Sequence, residues 1–128
     1  GSIVQIETKD GKSVKSATGN VATDKPLVVL VNENTAAAAE VLAAALQENQ
    51  RATLVGASTL GKGSVQVVRD LSFGGALRYT AAYYLTPQGR TINDVGVTPD
   101  VSVGLGGEAG SDNQRSLALE TAQSLARE

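Results

Sequence analysis

The stretch from Pro26 to Gly56 reads PLVVLVNENTAAAAEVLAAALQENQRATLVG and places two apolar runs on either side of an alanine-rich segment. Residues 27–32, LVVLVN, form a run rich in β-branched side chains, which is typical of a strand buried on both faces. Residues 52–56, ATLVG, predict a second, short strand. Strands of this kind belong to layered α/β folds, so we predict the α/β class.

The segment between these strands predicts a helix. From Ala36 to Leu46 it is apolar on every side except at Glu40, so we expect a central helix that is buried all round. Asn34 or Thr35 is the expected N-cap, because either side chain can accept a hydrogen bond from an unpaired first-turn N–H.

Hairpins are expected on both sides of this unit. Residues 3–8 alternate apolar and polar, and Asp10-Gly11 supplies a turn into a second edge strand at residues 13–17. After a loop at 57–63, residues 64–71 and 77–85 predict a long hairpin. In its second strand, one face is expected to carry Leu77, Tyr79, Ala81, Tyr83 and Leu85.

The remaining segments are less regular. Residues 86–103 predict an ordered loop with a short extended end, and the glycine-rich residues 104–113 predict a flexible linker. Residues 114–128 predict a C-terminal helix capped by Ser111 or Asp112, with an apolar stripe formed by Leu117, Leu119, Ala122 and Leu125. Gly1 and Ser2 are typical of the remnant left when a purification tag is cleaved, so we expect natural sequence from residue 3.

Composition excludes several kinds of site. The net charge of −2 comes with no basic face, which argues against nucleic acid as a partner. The chain has no histidine and no cysteine, so it can form neither a Ser-His-Asp triad nor a metal site with histidine or thiolate ligands. No apolar run approaches the ~20 residues of a membrane-spanning helix. A general base in this chain has to be a lysine or a carboxylate.

The loop GASTLGKG, residues 56–63, resembles a phosphate-binding P-loop in part. The pattern fails after Lys62, because Gly63 replaces the Ser or Thr that binds magnesium and a strand pattern follows instead of a helix. We therefore expect no nucleotide. Lys62 has a glycine on each side, which lets the backbone approach another element closely and would deliver the lysine into a buried site. Gln66, four residues on, could orient its amine.

Residues 26–66 resemble the core of the C-terminal processing peptidases, also called tail-specific proteases, and GRTINDVGVTPDV, residues 89–101, resembles that family's closing segment. The resemblance implies a ClpP/crotonase-like α/β fold and a serine endopeptidase with a Ser/Lys dyad that cuts extracytoplasmic proteins near their C-termini. It implies no cofactor and no metal. Protein or peptide C-terminal tails are the implied partners.

The resemblance also assigns site residues. The family's nucleophilic serine falls at position 37, which is Ala37 here. Lys62 matches the general base, Gln66 the residue that orients it, and the backbone N–H of Ala38 one half of the oxyanion hole. We therefore expect this chain to be inactive. Either a serine has been replaced by alanine through engineering, or the chain is a natural pseudoprotease that binds peptides without cleaving them.

Two further expectations concern what surrounds this site. Residues 3–103 would be the C-terminal part of a protease domain, because the family's earlier oxyanion-forming strand and its PDZ domain are not recognisable. Exposed sheet edges could then support a homodimer. An exposed face of residues 76–85 could also receive a peptide as an added strand.

Other hydroxyl and carboxyl groups are weaker candidates for a site. We expect Thr35 to cap the helix and Ser58 and Ser64 to serve turns, and we expect Asp94 and Asp100 to accept hydrogen bonds in loops.

Overall fold

A computed structural model describes residues 1–103 and 113–127, which contain seven strands and two helices. The strands and helices are β1 (Ser2–Thr8), β2 (Gly11–Ser16), β3 (Val28–Val31), α1 (Ala38–Glu48), β4 (Thr53–Gly56), β5 (Ser64–Asp70), β6 (Ala76–Leu85), β7 (Val101–Ser102) and α2 (Asn113–Ala126). The mixed α/β class and both predicted hairpins are confirmed.

The strands form two sheets. One is antiparallel, in the order β2-β1-β6-β5, and the other is parallel, in the order β3-β4-β7. Helix α1 is the crossover between the parallel strands β3 and β4, as a parallel pair requires. It packs against β4 and also against β1, so it lies between the two sheets, while α2 packs on β3 and β4.

The central core joins α1 to the parallel sheet. Its buried side chains come from β3, α1, β4 and the segment before β7: Val31, Ala43, Ala44, Leu54 and Val97. Alanines at the helix surface let the helix approach the sheet closely. The core therefore fixes where α1 begins relative to the ends of β3 and β4.

The expectation that α1 is buried all round is wrong. Ala38 and Ala39 are exposed and Leu42 is 58% exposed, whereas Glu40, the charged residue within the helix's apolar stretch, is fully buried. The helix is covered only on the side that faces the sheets. Full burial of β3 is wrong for a similar reason, because Leu30 on this edge strand is 46% exposed.

The predicted N-cap is also wrong. Ala37 is the N-cap, and the Glu40 carboxylate accepts a hydrogen bond from its backbone N–H at 2.9 Å. Thr35 instead closes the preceding turn, where its hydroxyl oxygen accepts from the N–H of Asn32.

The alternation expected along β6 breaks at a bulge. Val65 pairs with Ala82 but Gln66 pairs with Thr80, so β6 carries one extra residue at Ala81. Ala82 and Leu85 are both buried, while Tyr83 is 41% exposed. The predicted single face is therefore wrong.

The C-terminal helix runs from Asn113 to Ala126, one residue earlier than predicted. Of the linker expected at 104–113, residues 104–112 lie outside the described residues, and Asn113 belongs to the helix. The expected helix caps Ser111 and Asp112, and residue 128, also lie outside the described residues. Leu119, assigned to the apolar stripe, is 54% exposed, and the buried positions are Gln114 and Ala118. Gln114 is held because its amide donates to the carbonyl of Val103.

Candidate active site

Position 37 lies on a sharp turn between β3 and α1. Ala37 has φ 54° and ψ −121°, a positive-φ conformation that side-chain-bearing residues seldom adopt. Tertiary contacts are needed to hold such a residue, and strained residues of this kind cluster at active sites. A nucleophile placed on a tight strand-to-helix turn projects from the surface in the same way. The turn therefore places the side chain of position 37 at the N-terminal end of α1.

The backbone N–H of Ala38, the first residue of α1, has no hydrogen-bond partner among the described residues. Helix starts leave such donors free and carry partial positive charge. An unpaired donor next to position 37 is what an oxyanion of an attacked carbonyl requires. The role of Ala38 as an oxyanion donor, which the resemblance implies, stays a prediction.

Glu40 joins the helix start to the loop that carries Lys62. Its Oε2 accepts hydrogen bonds from the backbone N–H of Ala37 at 2.9 Å and from that of Lys62 at 2.8 Å. One carboxylate oxygen thus binds both backbone nitrogens. The distance between the nitrogens of Ala37 and Lys62 therefore cannot exceed the sum of the two hydrogen-bond lengths. Positions 37 and 62 are brought into one site.

The other oxygen of Glu40 is also fully engaged. Oε1 accepts from the backbone N–H of Gly61 at 2.7 Å and from the hydroxyl of Thr59 at 2.5 Å. A buried carboxylate is tolerated when donors of this kind replace its water. The four bonds fix the carboxylate in one orientation, and through it the loop.

The lysine loop packs on the segment 92–97 by close backbone approach. An added Cβ at Gly63 would lie 2.5 Å from the backbone nitrogen of Asn93, and one at Gly61 would lie 3.0 Å from that of Val95. The N–H of Asp94 also donates to the carbonyl of Gly61 at 2.8 Å. The expected close approach of the glycines is confirmed.

The expected burial of Lys62 itself is wrong in this structure. Both flanking glycines are buried against residues 92–96, while Lys62 is exposed. With their backbones packed on that segment, the side chain between them projects to the opposite, open side. Within residues 1–103 and 113–127, the amine of Lys62 has no hydrogen bond or ion pair, so it is available to a hydroxyl group.

Gln66 is placed on β5, exposed and near the lysine loop. Its amide nitrogen donates to the hydroxyl of Thr80 at 2.6 Å and to that of Ser64 at 3.1 Å. Within residues 1–103 and 113–127, Gln66 makes no hydrogen bond to Lys62. Its role in orienting the lysine stays a prediction.

The expectation that Ser64 serves a turn is wrong, because Ser64 is the first residue of β5 and pairs with Tyr83. Ser58 is exposed, and Asp94 accepts from the side chain of its neighbour Asn93. Asp100 accepts from the N–H of Leu54 and from the amide of Gln47. Asp100 therefore ties the parallel sheet to α1, and both carboxylates accept hydrogen bonds as expected.

Sequence reasoning missed the role of Glu40. A signal was present, because Glu40 is the charged residue within the apolar stretch 36–46. It also lies three residues after the observed N-cap, which is the spacing of a capping box. The pattern could not show that the same carboxylate also binds Thr59, nineteen residues later, and with it the lysine loop.

The profile of peptidase family S41 matches residues 1–103. The chain belongs to peptidase family S41. It is 55% identical over 85 residues to a carboxyl-terminal-processing protease of Synechocystis, covering 66% of this chain and 20% of that protein. It is 42% identical over 104 residues to the carboxy-terminal processing protease CtpA of Bacillus subtilis, covering 80% of this chain and 22% of that protein.

A solved structure is also similar. The photosystem II D1 C-terminal processing protease superposes with a TM-score of 0.76 at 42% identity, over 98% of this S41 chain and 32% of that one. The resemblance to C-terminal processing peptidases is thereby confirmed. The chain spans about a fifth of the length of the curated relatives it matches.

Proposed function

We propose that this chain carries the serine/lysine part of an S41 endopeptidase that cleaves proteins near their C-termini, with the nucleophile position occupied by alanine. The observation that carries the proposal is the shared hydrogen bonding of Glu40 Oε2, which brings the backbones of Ala37 and Lys62 together. The relatives' names describe processing of carboxyl termini, which supports the substrate class.

With serine at position 37, the chemistry follows from these groups. The serine oxygen attacks the carbonyl carbon of the scissile bond while the amine of Lys62 takes the hydroxyl proton. The N–H of Ala38 stabilises the oxyanion. Lys62 then gives its proton to the leaving amine as the C–N bond breaks. A water attacks the resulting ester and loses a proton to Lys62, which returns that proton to the serine oxygen as the carboxylic acid product leaves. Ala37 has no proton to lose and no lone pair, so this chain cannot form the ester.

The test restores the nucleophile. Ala37→Ser should react with a fluorophosphonate probe at position 37, as detected by intact-mass spectrometry and peptide mapping, and Ala37→Ser/Lys62→Met should react at least about a hundredfold more slowly. Lys25→Met is the matched control, because Lys25 is exposed before β3. A folded Ala37→Ser chain that does not react, or reacts equally without Lys62, would refute the dyad.

A peptide-binding role without catalysis is the second candidate. Strand β1 pairs with β6 only at residues 83–85, so the edge of β6 at residues 76–82 that faces away from β5 is unpaired among the described residues. An extended peptide tail could pair with this edge. Saturable peptide binding that survives Lys62→Met, together with an Ala37→Ser chain that does not react with the probe, would favour this role.

We also propose, by family resemblance, a ClpP/crotonase-like arrangement and an extracytoplasmic location. The parallel β3-α1-β4 unit followed by a long antiparallel hairpin supports the first. For the second, the similar proteins come from bacteria and chloroplasts. Separately, neither α1 nor α2 within residues 1–103 and 113–127 has the length and apolar character of a transmembrane helix.

A further inference from the structure

Thr59 lies in the loop between β4 and Lys62, and its side chain is buried, with the residue 7% exposed. Its hydroxyl makes two hydrogen bonds. It donates to Oε1 of Glu40 at 2.5 Å and accepts from the backbone N–H of Val97 at 2.7 Å. Thr59 therefore links α1 to the segment before β7 through a single oxygen atom.

These two bonds fix the direction of the hydroxyl. A threonine hydroxyl has one proton to donate, and with the Val97 N–H on the oxygen's acceptor side, that proton goes to Glu40. The backbone around Thr59 is equally constrained, since its N–H donates to the carbonyl of Val97 at 3.1 Å. Gly96 has φ 76° and packs on the carbonyl of Thr59, where a side chain would collide. The hydroxyl is thus held from both sides.

The carboxylate of Glu40 connects the Thr59 hydroxyl to positions 37 and 62. Oε1 is held by Thr59 and Gly61, while Oε2 binds the N–H groups of Ala37 and Lys62. Without the Thr59 hydroxyl, Oε1 keeps only the N–H of Gly61, so the carboxylate that binds Ala37 and Lys62 is less firmly held. A hydroxyl that touches neither side chain therefore belongs to the hydrogen-bond network that joins the two positions.

We infer that Thr59 is a positioning residue for the S41 reaction, acting through Glu40 to set the backbone of Lys62 against the turn at position 37. The inference rests on the proposed function. It predicts that the hydroxyl matters for the relative placement of the two positions, and not only for the stability of the fold.

The variants separate the hydroxyl from the shape of the side chain. Thr59→Val keeps the branched shape and removes the hydroxyl, Thr59→Ala removes both, and Thr59→Ser keeps the hydroxyl. In the Ala37→Ser chain, we expect Thr59→Val and Thr59→Ala to slow fluorophosphonate labelling at least about tenfold, since small misplacements of reacting groups are costly. Thr59→Ser should restore the rate to within about threefold of that of the Ala37→Ser chain with Thr59 intact.

A stability control excludes a merely structural effect. Arg90→Ala removes an ion pair with Glu48 at the far end of α1 and leaves the Glu40 bonds untouched. It should lower the melting temperature without changing the labelling rate. Thr59→Val that lowers the melting temperature but leaves the rate of the folded chain unchanged would overturn the inference.

A second measurement does not depend on labelling. In the chain with Ala37, amide hydrogen exchange at Gly61 and Lys62 should accelerate at least about tenfold in Thr59→Val and stay slow in Thr59→Ser. Unchanged exchange in Thr59→Val overturns the inference. If the labelling rate of the Ala37→Ser chain depends on Lys62 but not on Thr59, only this inference is overturned. If the labelling rate is the same with and without Lys62, the proposed function is overturned as well.

Discussion

Glu40 and Lys62 are joined by a hydrogen bond of 2.8 Å from the lysine backbone N–H to Oε2 of the buried carboxylate. The lysine side chain is not involved, and it remains exposed. The helix start thus positions the lysine through the backbone of its loop, which leaves the amine free for chemistry.

The first prediction concerns the charge of Glu40. Glu40→Gln keeps the shape but turns one accepting oxygen into an NH₂ group that faces N–H donors. We expect the free energy of unfolding to fall by about 3 kcal/mol, since hydrogen bonds to charged groups contribute more than neutral ones. Urea denaturation measures it. Glu33→Gln, on an exposed loop, should change the free energy of unfolding by no more than about 0.5 kcal/mol. Equal losses in Glu40→Gln and Glu33→Gln would contradict a structural role for the Glu40 charge.

A second prediction concerns the packing of the lysine loop. Gly63→Ala places a methyl carbon 2.5 Å from the backbone nitrogen of Asn93, so the loop and segment 92–97 must separate. We expect a loss of stability of about 2 to 3 kcal/mol. Gly74→Ala in the β5-β6 turn meets no neighbour and has φ 95°, so it should cost only about 1 kcal/mol of backbone strain. Thermal denaturation of both variants measures the two losses of stability. A larger loss in Gly74→Ala than in Gly63→Ala would be inconsistent with this packing.

The third prediction concerns the far end of α1. Glu48 accepts hydrogen bonds from Arg90 and from the N–H of Gln88, and its side chain is 3% exposed against 63% for Arg90. Because the arginine is largely in water, the pair is screened, and we expect Arg90→Ala to cost about 1 to 2 kcal/mol. Arg69→Ala, on the exposed β5, serves as the control. A cost no larger than that of Arg69→Ala would show that the pair contributes nothing.

Local patterns predicted the order of the elements because period-two alternation and an alanine-rich apolar segment are local signals. They failed on burial, as Leu42 and Leu30 show, because exposure depends on which layers cover a face. They also failed at Ala81, since a bulge shifts the side chains that follow it without any change in the sequence pattern.

The site was only partly predictable. Position 37, Lys62 and Ala38 followed from resemblance, and the glycines around Lys62 from their conformational freedom. The bonds that assemble the site could not be predicted, because Glu40 and Thr59 are nineteen residues apart along the chain and meet only through the tertiary fold. No local sequence pattern distinguishes Thr59, whose hydroxyl is buried and bonded to Glu40, from its exposed neighbour Ser58.

The most direct test of a shared site at positions 37 and 62 uses the absence of cysteine from the chain. Ala37→Cys introduces a single thiol, and the pH dependence of its alkylation rate gives its pKa. A nearby ammonium group and a helix start both lower a thiol pKa from about 8.5. We expect a lowered value in Ala37→Cys that rises by about 1 when Lys62→Gln is added, with no change on adding Lys25→Gln. The same thiol pKa with and without Lys62 would contradict a shared site.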